Sequence, residues 1–230
     1  MKLGTSLCDD SLSLLFLHLC PACEKELSKG EVICTFCKDE LPQTNYHLEK
    51  ENPVEQVFWD RVKIEKAASF YFLSRDSKVQ HLIHNFKYNG LYDIGIEVGT
   101  LYGMQLKDTA FNDIDIIIPV PLHPARERKR GYNQAAMFAK GLAQTLNIPW
   151  NSKIVKRIKN TKTQTKQTKE ERIENVKNAF QIIDAELMSD KHILLVDDVL
   201  TTGATLESCA RTLLEVKKTK VSIATMALAR

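Results

Sequence analysis

The chain has 230 residues, which gives room for one α/β domain of ordinary size and a small appendage. Hydrophobic residues make up 43% and charged residues 27%, a soluble globular composition that excludes a fibrous or a disordered chain. The formal net charge of +3 is too small to indicate nucleic-acid binding unless positive charge is concentrated locally.

The first apolar stretch, Leu12 to Leu19, is unlike a secretion signal. Asp9 and Asp10 place negative charge where such a signal carries positive charge, and Leu19 is not the small residue that a cleavage site requires. No apolar run approaches the ~18 residues of a membrane span. We therefore expect a cytoplasmic protein without membrane insertion.

Two CxxC pairs follow, Cys20 with Cys23 and Cys34 with Cys37. Each CxxC turn sets two thiolates on one side of a metal, and two turns complete a tetrahedral site typical of structural Zn²⁺. A disulfide framework is the alternative, but a chain with a full α/β pattern does not need covalent staples. Iron in place of zinc remains open. The remaining cysteines, Cys8 and Cys209, are expected to be small buried residues.

Three segments are predicted: a four-cysteine knuckle at 1–43, a linker at 44–61 and an α/β domain at 62–230. In the domain, strands are expected at Ala67–Leu73, Ile114–Val120, Ile193–Val196 and Val221–Ala227. Helices are expected at Val79–Phe86, Ile94–Leu106, Asn133–Leu146 and Ala204–Val216. Because strands alternate with helices, we predict right-handed crossovers and a mostly parallel twisted sheet flanked by helices.

The strongest chemical signal follows the strand Ile193–Val196, where Asp197 and Asp198 precede a loop of small and hydroxyl residues. The helix after this loop offers unpaired N–H groups and a positive dipole end, which suit a phosphate. Gly203 permits positive φ and a close approach of the backbone. An ordinary strand–turn–helix with one capping Thr is the plain alternative, but it does not explain three threonines around a glycine behind an acidic pair. The loop residues are Leu200, Thr201, Thr202, Gly203, Ala204 and Thr205.

A second signal is the cationic segment Arg126–Arg130, which has four cationic residues in five positions and follows the strand Ile114–Val120 as a strand-to-helix loop. Arginine suits multidentate binding of phosphate groups. Taken alone, this stretch is better explained as a solvated basic turn.

The run Ile193–Thr205 resembles the phosphoribosyl pyrophosphate (PRPP) signature of type I phosphoribosyltransferases. The segments Pro119–Gln134, Phe86–Gly90 and the two CxxC pairs followed by Leu41-Pro42 resemble the ComF family of competence proteins. The resemblance covers about Leu19 to Arg230. It implies a type I phosphoribosyltransferase fold with a small N-terminal four-cysteine zinc-binding knuckle, so that 62–230 is a phosphoribosyltransferase-like domain.

The resemblance also implies roles for residues. Asp197 and Asp198 would be the catalytic pair that holds the ribose hydroxyls, and Leu200–Thr205 would bind the 5′-phosphate. The residues implied to bind pyrophosphate are Val120, Pro121, Leu122, Arg126, Arg128 and Arg130. The residues implied to belong to a flexible loop that closes over PRPP are Arg157, Thr161, Gln164 and Thr165. The Phe86–Gly90 element has no clear role, and Tyr88 is expected to belong to the core.

The segment from Lys153 to Lys177 has nine Lys/Arg against three Glu, a local net charge of +6. A lid over pyrophosphate, a surface that faces nucleic acid and a solvated loop are all open explanations. Two functions follow for the whole chain. The first is an enzyme that binds PRPP with Mg²⁺ and transfers phosphoribose to an unknown acceptor. The alternative is a competence factor that responds to PRPP without turnover, and binds single-stranded DNA or docks on a protein of the DNA-uptake machinery.

Overall fold

A four-stranded parallel sheet carries the fold in this computed structural model, which describes residues 18–159 and 179–230. In chain order the strands are β1 (Ala67–Leu73), β2 (Ile116–Pro119), β3 (Val155–Arg157), β4 (Phe180–Ile182), β5 (His192–Leu200) and β6 (Lys220–Ala229). The sheet has the order β1–β6–β5–β2 with every neighbouring pair parallel, and β3 and β4 form a separate antiparallel pair. The expected parallel α/β sheet is therefore confirmed.

The α-helices of the described residues are α1 (Thr35–Glu40), α2 (Pro53–Gln56), α3 (Lys78–Tyr88), α4 (Asp93–Leu106), α5 (Pro124–Arg130), α6 (Gln134–Leu146) and α7 (Ala204–Leu214). Short 3₁₀ turns lie at Tyr46–Leu48 and Glu186–Met188. Each of the four helices predicted in the α/β domain is present, with ends that shift by one or two residues. None of the helices described between residues 18–159 and 179–230 is both long enough and apolar enough to cross a membrane.

Two local predictions were wrong. The strand predicted at Ile193–Val196 continues to Leu200, because its backbone stays paired with the longer strand β6. The segment Arg126–Arg130, predicted as a loop, lies in helix α5. Its N-terminus has the capping residue His123 followed by a proline, and Gly131 ends it in the left-handed conformation, so both helix boundaries are encoded locally.

Helices cover both faces of the sheet, and consecutive residues of strand β5 point to opposite faces. Leu194 and Val196 pack against α3, α4 and α6, whereas Ile193 and Leu195 pack against α7 and against the segment that precedes β1. All four side chains are fully buried. The fold is thus a three-layer arrangement of helices, sheet and helices.

The segment 44–61, predicted as a linker, contains the 3₁₀ turn Tyr46–Leu48 and helix α2 and contributes to the core. Val54 and Phe58 are fully buried against the α7 side of the sheet. The side-chain amide of Asn52 donates to the carbonyl of Ala67 at 2.9 Å and thereby ties this segment to the start of β1. The segment therefore packs on the α7 face of the sheet.

Candidate functional site

The acidic pair lies in the second half of β5. Asp197 pairs with Thr225 of β6, and both aspartates are partly buried. The backbone N–H of Asp198 donates to the Asp197 Oδ1 atom at 2.8 Å. Burial and the neighbouring Asp198 charge raise the pKa of Asp197 above its ordinary value, and the positive charges of Lys87 and Arg157 oppose this rise. The pair is thus a sheltered pair of carboxylates at the carboxyl end of a parallel strand, where ligands of such sheets bind.

The threonine-rich loop leads directly from β5 into α7. Gly203 is buried, has φ 74° and occupies the N-cap of α7, so the predicted need for positive φ is confirmed. Thr201 and Thr202 are exposed, and Ala204 and Thr205 are half-buried in the first helical turn, whereas Leu200 is fully buried. Exposed hydroxyls beside a helix N-terminus form an arrangement suited to a phosphate.

Arg61 fastens this loop to the segment that precedes β1. Its guanidinium donates to the carbonyls of Thr202 at 2.8 Å and Val57 at 2.9 Å. It also forms a two-donor ion pair with the Glu207 carboxylate of α7, at 2.6 and 2.9 Å. Sequence reasoning missed Arg61, since a single arginine in a segment without periodicity gives no signal for a contact 141 residues away.

The predicted pyrophosphate residues Val120, Pro121 and Leu122 follow β2, which lies beside β5 in the sheet. Pro119 pairs with Val196, and the N–H of Val120 donates to the carbonyl of Val196 at 2.8 Å. The segment after β2 therefore starts one strand away from the acidic pair. The structure thus brings this segment and the acidic pair to the carboxyl ends of two neighbouring strands.

The three predicted arginines are separated by the helical geometry of α5. Arg126 and Arg130 are four residues apart and share a face, whereas Arg128 lies on another face and is exposed. Arg130 donates to the Gln134 Oε1 atom at 2.8 Å. Burial and the charge of Arg126 lower the pKa of Arg157, while the charge of Asp197 opposes this. Arg157 therefore belongs to the electrostatic surroundings of Asp197, and Arg126 acts in turn on Arg157.

The Phe86–Gly90 element, whose role the sequence left open, contacts the site. The Lys87 Nζ atom lies 3.0 Å from the Asp198 Oδ2 atom. Tyr88 is 64% exposed, so its predicted place in the core was wrong, and the Arg130 guanidinium lies 5.9 Å from the centre of its ring. The hydroxyl of Tyr132 donates to the carbonyl of Phe86. The end of α3 thus contacts both the acidic pair and the residues Arg130 and Tyr132.

The four predicted metal ligands come together. Their Sγ atoms all lie within 4.8 Å of one another, and those of Cys23 and Cys34 are 3.7 Å apart. This separation fits the edge of a tetrahedron with Zn–S bonds of ~2.3 Å, which is about 3.8 Å. The cluster can therefore bind zinc. Cys209 is fully buried outside the cluster, as expected.

The knuckle packs on the helices of the α/β domain. Cys20 and Cys37 belong to the same core as α3, α4 and α6. The side-chain amide of Asn85 in α3 donates to the carbonyl of Pro21 in the first CxxC turn at 2.8 Å. An ion pair of 2.6 Å joins Lys38 to Glu97 in α4.

Of the predicted flexible-loop residues, the structure describes only Arg157, at the end of β3. It is near enough to the acidic pair for its charge to influence Asp197. The other three residues, Thr161, Gln164 and Thr165, lie outside the described residues.

The second half of the chain matches a known protein domain. A family model described as the phosphoribosyl transferase domain matches residues 133–230, which include the acidic pair and the threonine-rich loop. With the parallel sheet and the loop at its edge, this match shows a type I phosphoribosyltransferase-like domain.

Several relatives are similar to this chain over most of its length and most of their own. The chain is 30% identical over 214 residues to Competence protein F of Haemophilus influenzae, covering 90% of this chain and 88% of that protein. It is 30% identical over 220 residues to the DNA utilization protein YhgH of Escherichia coli K12, covering 90% and 89%. It is 29% identical over 215 residues to Competence protein ComFC of Bacillus subtilis, covering 92% and 78%. The chain belongs to the competence protein F (ComF) family.

Solved structures are less similar. Adenine phosphoribosyltransferase of Saccharomyces cerevisiae has a TM-score of 0.39 and 15% identity, covering 63% of this chain and 72% of that one. The PRPP amidotransferase of B. subtilis has a TM-score of 0.42 and 16% identity, covering 59% and 26%.

Proposed function

We propose that this protein binds PRPP with Mg²⁺ at the edge of the sheet where β5 and β2 end. The observation that carries the proposal is the succession, on one strand and its following helix, of a carboxylate pair, a hydroxyl-rich loop and a glycine-capped helix N-terminus. These groups match the ribose hydroxyls and the 5′-phosphate of PRPP in kind and in order.

The site residues then have distinct roles. Asp197 and Asp198 accept hydrogen bonds from the ribose hydroxyls, and the segment from Thr201 to Thr205 holds the 5′-phosphate. Val120, Pro121 and Leu122 lie along the pyrophosphate, and the cationic side chains near them balance its charge. The arginines assigned to this task are Arg126, Arg128, Arg130 and Arg157. Mg²⁺ arrives with the pyrophosphate as part of the substrate, since such sites use few protein ligands for it.

The reaction is a phosphoribosyl transfer. An acceptor nucleophile forms a bond to the anomeric carbon of the ribose, and the bond from that carbon to pyrophosphate breaks. Pyrophosphate leaves with the bonding electron pair, and the acceptor loses its proton to solvent. The protein contributes positioning and charge stabilisation of an oxocarbenium-like transition state.

In the knuckle, we propose that Cys20, Cys23, Cys34 and Cys37 hold a structural Zn²⁺. Four thiolates close the coordination sphere, so the metal stabilises the fold and takes no part in the transfer. The proposal is supported by the separations of the sulfur atoms and by the packing of the knuckle against α3 and α4.

A second function is favoured by the names of the relatives, which refer to competence and DNA utilization. In this alternative the protein binds PRPP without turnover and acts on incoming single-stranded DNA, or docks on a protein of the DNA-uptake machinery. The segment from Lys153 to Lys177, with its local charge of +6, is the basic region available for DNA.

Two assays on the zinc-loaded protein separate these functions. Release of pyrophosphate from Mg–PRPP is measured with a panel of nucleobases and with single-stranded DNA as acceptors. Retention of a labelled single-stranded oligonucleotide is measured over a series of salt concentrations. The transferase predicts acceptor-dependent pyrophosphate release that is abolished in Asp198→Asn. The binding factor predicts salt-sensitive DNA retention without any release, and DNA retention that is absent or insensitive to salt contradicts it.

A further inference from the structure

Lys87 lies in the last turn of α3, far from the acidic pair in sequence, yet its Nζ atom is 3.0 Å from the Asp198 Oδ2 atom. The side chain of Lys87 is 19% exposed and that of Asp198 is 13% exposed. A pair so sheltered is screened by salt much less than an ion pair on the surface. The Lys87 charge therefore stabilises the Asp198 carboxylate more strongly than an exposed surface lysine would.

The backbone that carries Lys87 is fixed on both sides. Phe86 is fully buried, and its carbonyl accepts a hydrogen bond from the Tyr132 hydroxyl. Two residues before Lys87, the Asn85 side chain donates to the carbonyl of Pro21 in the knuckle. Helix α3 is thus held between the knuckle and Tyr132, and this sets the direction from which Lys87 approaches Asp198.

The acidic pair needs such a cation. Asp197 and Asp198 are consecutive on one strand, and their negative charges repel each other. Ionisable groups face Asp197 from its own strand and from the elements packed around it. These groups are Asp198 on β5, Lys87 on α3, Arg157 on β3 and Cys209 on α7. Among these groups, Lys87 forms an ion pair with Asp198.

We propose that Lys87 is a positioning residue of the PRPP site, which orients the Asp198 carboxylate and balances the charge of the acidic pair so that both aspartates accept hydrogen bonds from ribose hydroxyls. The inference rests on the proposed function and adds to it a residue outside the PRPP signature. It also gives the Phe86–Gly90 element a task in the site.

The test is a calorimetric titration of Mg–PRPP into four zinc-loaded proteins: the wild type, Lys87→Met, Lys87→Arg and Lys78→Met. Lys78 is a matched control because it starts the same helix and its ammonium lies over the Phe36 ring in the knuckle, 4.8 Å from the ring centre. We expect Lys87→Met to weaken binding about tenfold or more, because it leaves a sheltered carboxylate without its cation. Lys87→Arg restores most of the affinity, and Lys78→Met binds like the wild type.

The pH dependence of the affinity distinguishes positioning of the carboxylates from a general loss of structure. Because the Lys87 charge lowers the pKa of Asp197, its loss lets Asp197 keep its proton to higher pH. As pH falls, we therefore expect binding to weaken about one pH unit higher in Lys87→Met than in the wild type. Melting curves establish that each variant is folded. If Lys87→Met does not fold, Lys87→Gln replaces it.

Each outcome has a distinct meaning. If the wild type does not bind Mg–PRPP, the proposed function fails, and the role of Lys87 fails with it. If the wild type binds and Lys87→Met binds equally well, the role of Lys87 alone is overturned. The same conclusion follows if Lys87→Met binds weakly with an unchanged pH profile and Lys87→Arg does not restore affinity.

Discussion

Gly203 lies where the threonine-rich loop meets α7, and the structure sets the cost of replacing it. Its φ of 74° strains any residue with a Cβ atom, at about 1–2 kcal/mol. A Cβ atom there would lie 2.7 Å from the Val57 Cγ1 atom and 3.2 Å from the Phe58 ring. Because Phe58 is fully buried, relief of this overlap disturbs the core and adds about 1–3 kcal/mol. We therefore expect Gly203→Ala to lower the free energy of unfolding by about 2–5 kcal/mol.

Gly131→Ala is the matched control for this change. Gly131 also has positive φ, 83°, but nothing lies within 4 Å of a Cβ atom built on it. Only the backbone strain remains, so this variant loses about 1–2 kcal/mol. Urea denaturation of the zinc-loaded proteins gives both values by linear extrapolation. Equal destabilisation of the two variants would refute the packing of the loop against Val57 and Phe58.

Three further changes test other parts of the account. Arg61→Met removes the hydrogen bond to the Thr202 carbonyl and with it about 1–2 kcal/mol that fixes the loop. We therefore expect about tenfold weaker Mg–PRPP binding by calorimetry, and unchanged affinity contradicts this. Removal of zinc by a chelator lowers the melting temperature by about 5 °C or more, since Cys20 and Cys37 share a core with three helices, and an unaffected melting curve contradicts it. The raised pKa of Asp197 means that the unfolded chain releases this proton first as pH rises, so the folded wild type loses stability from about pH 4 upward. Asp197→Asn keeps an oxygen that accepts from the Asp198 N–H. It should therefore be about 1–3 kcal/mol more stable than the wild type at pH 8 and equally stable near pH 4. The same stability difference between the two proteins at both pH values refutes the assignment.

The sequence predicts the parts of the site that are local in the chain. The acidic pair, the glycine-capped loop and the helix after it are consecutive residues, so their spacing alone indicates a phosphate site. The four cysteines likewise form two short turns, and their convergence follows from metal geometry. In the same way, alternating apolar segments are enough to predict a parallel sheet with helices on both faces.

The contacts that the sequence did not predict are long-range. Lys87 meets Asp198, and Arg61 meets Thr202, because the fold brings α3 and the segment before β1 to the same sheet edge. Neither the periodicity nor the spacing of residues in the sequence predicts such long-range contacts. The continuation of β5 to Leu200 was missed for a related reason, since hydrogen bonding to β6 outweighs the low strand preference of consecutive aspartates.

The central claim is that the acidic pair of β5 binds PRPP, and calorimetric titration of Mg–PRPP into the zinc-loaded wild type and Asp198→Asn tests it most directly. Asn keeps the size of the side chain and removes its charge. Melting curves of both proteins check that a loss of binding does not come from unfolding. The account predicts saturable binding of one Mg–PRPP per chain by the wild type and none measurable by the variant. Equal binding by both proteins, or no binding by the wild type, would contradict it.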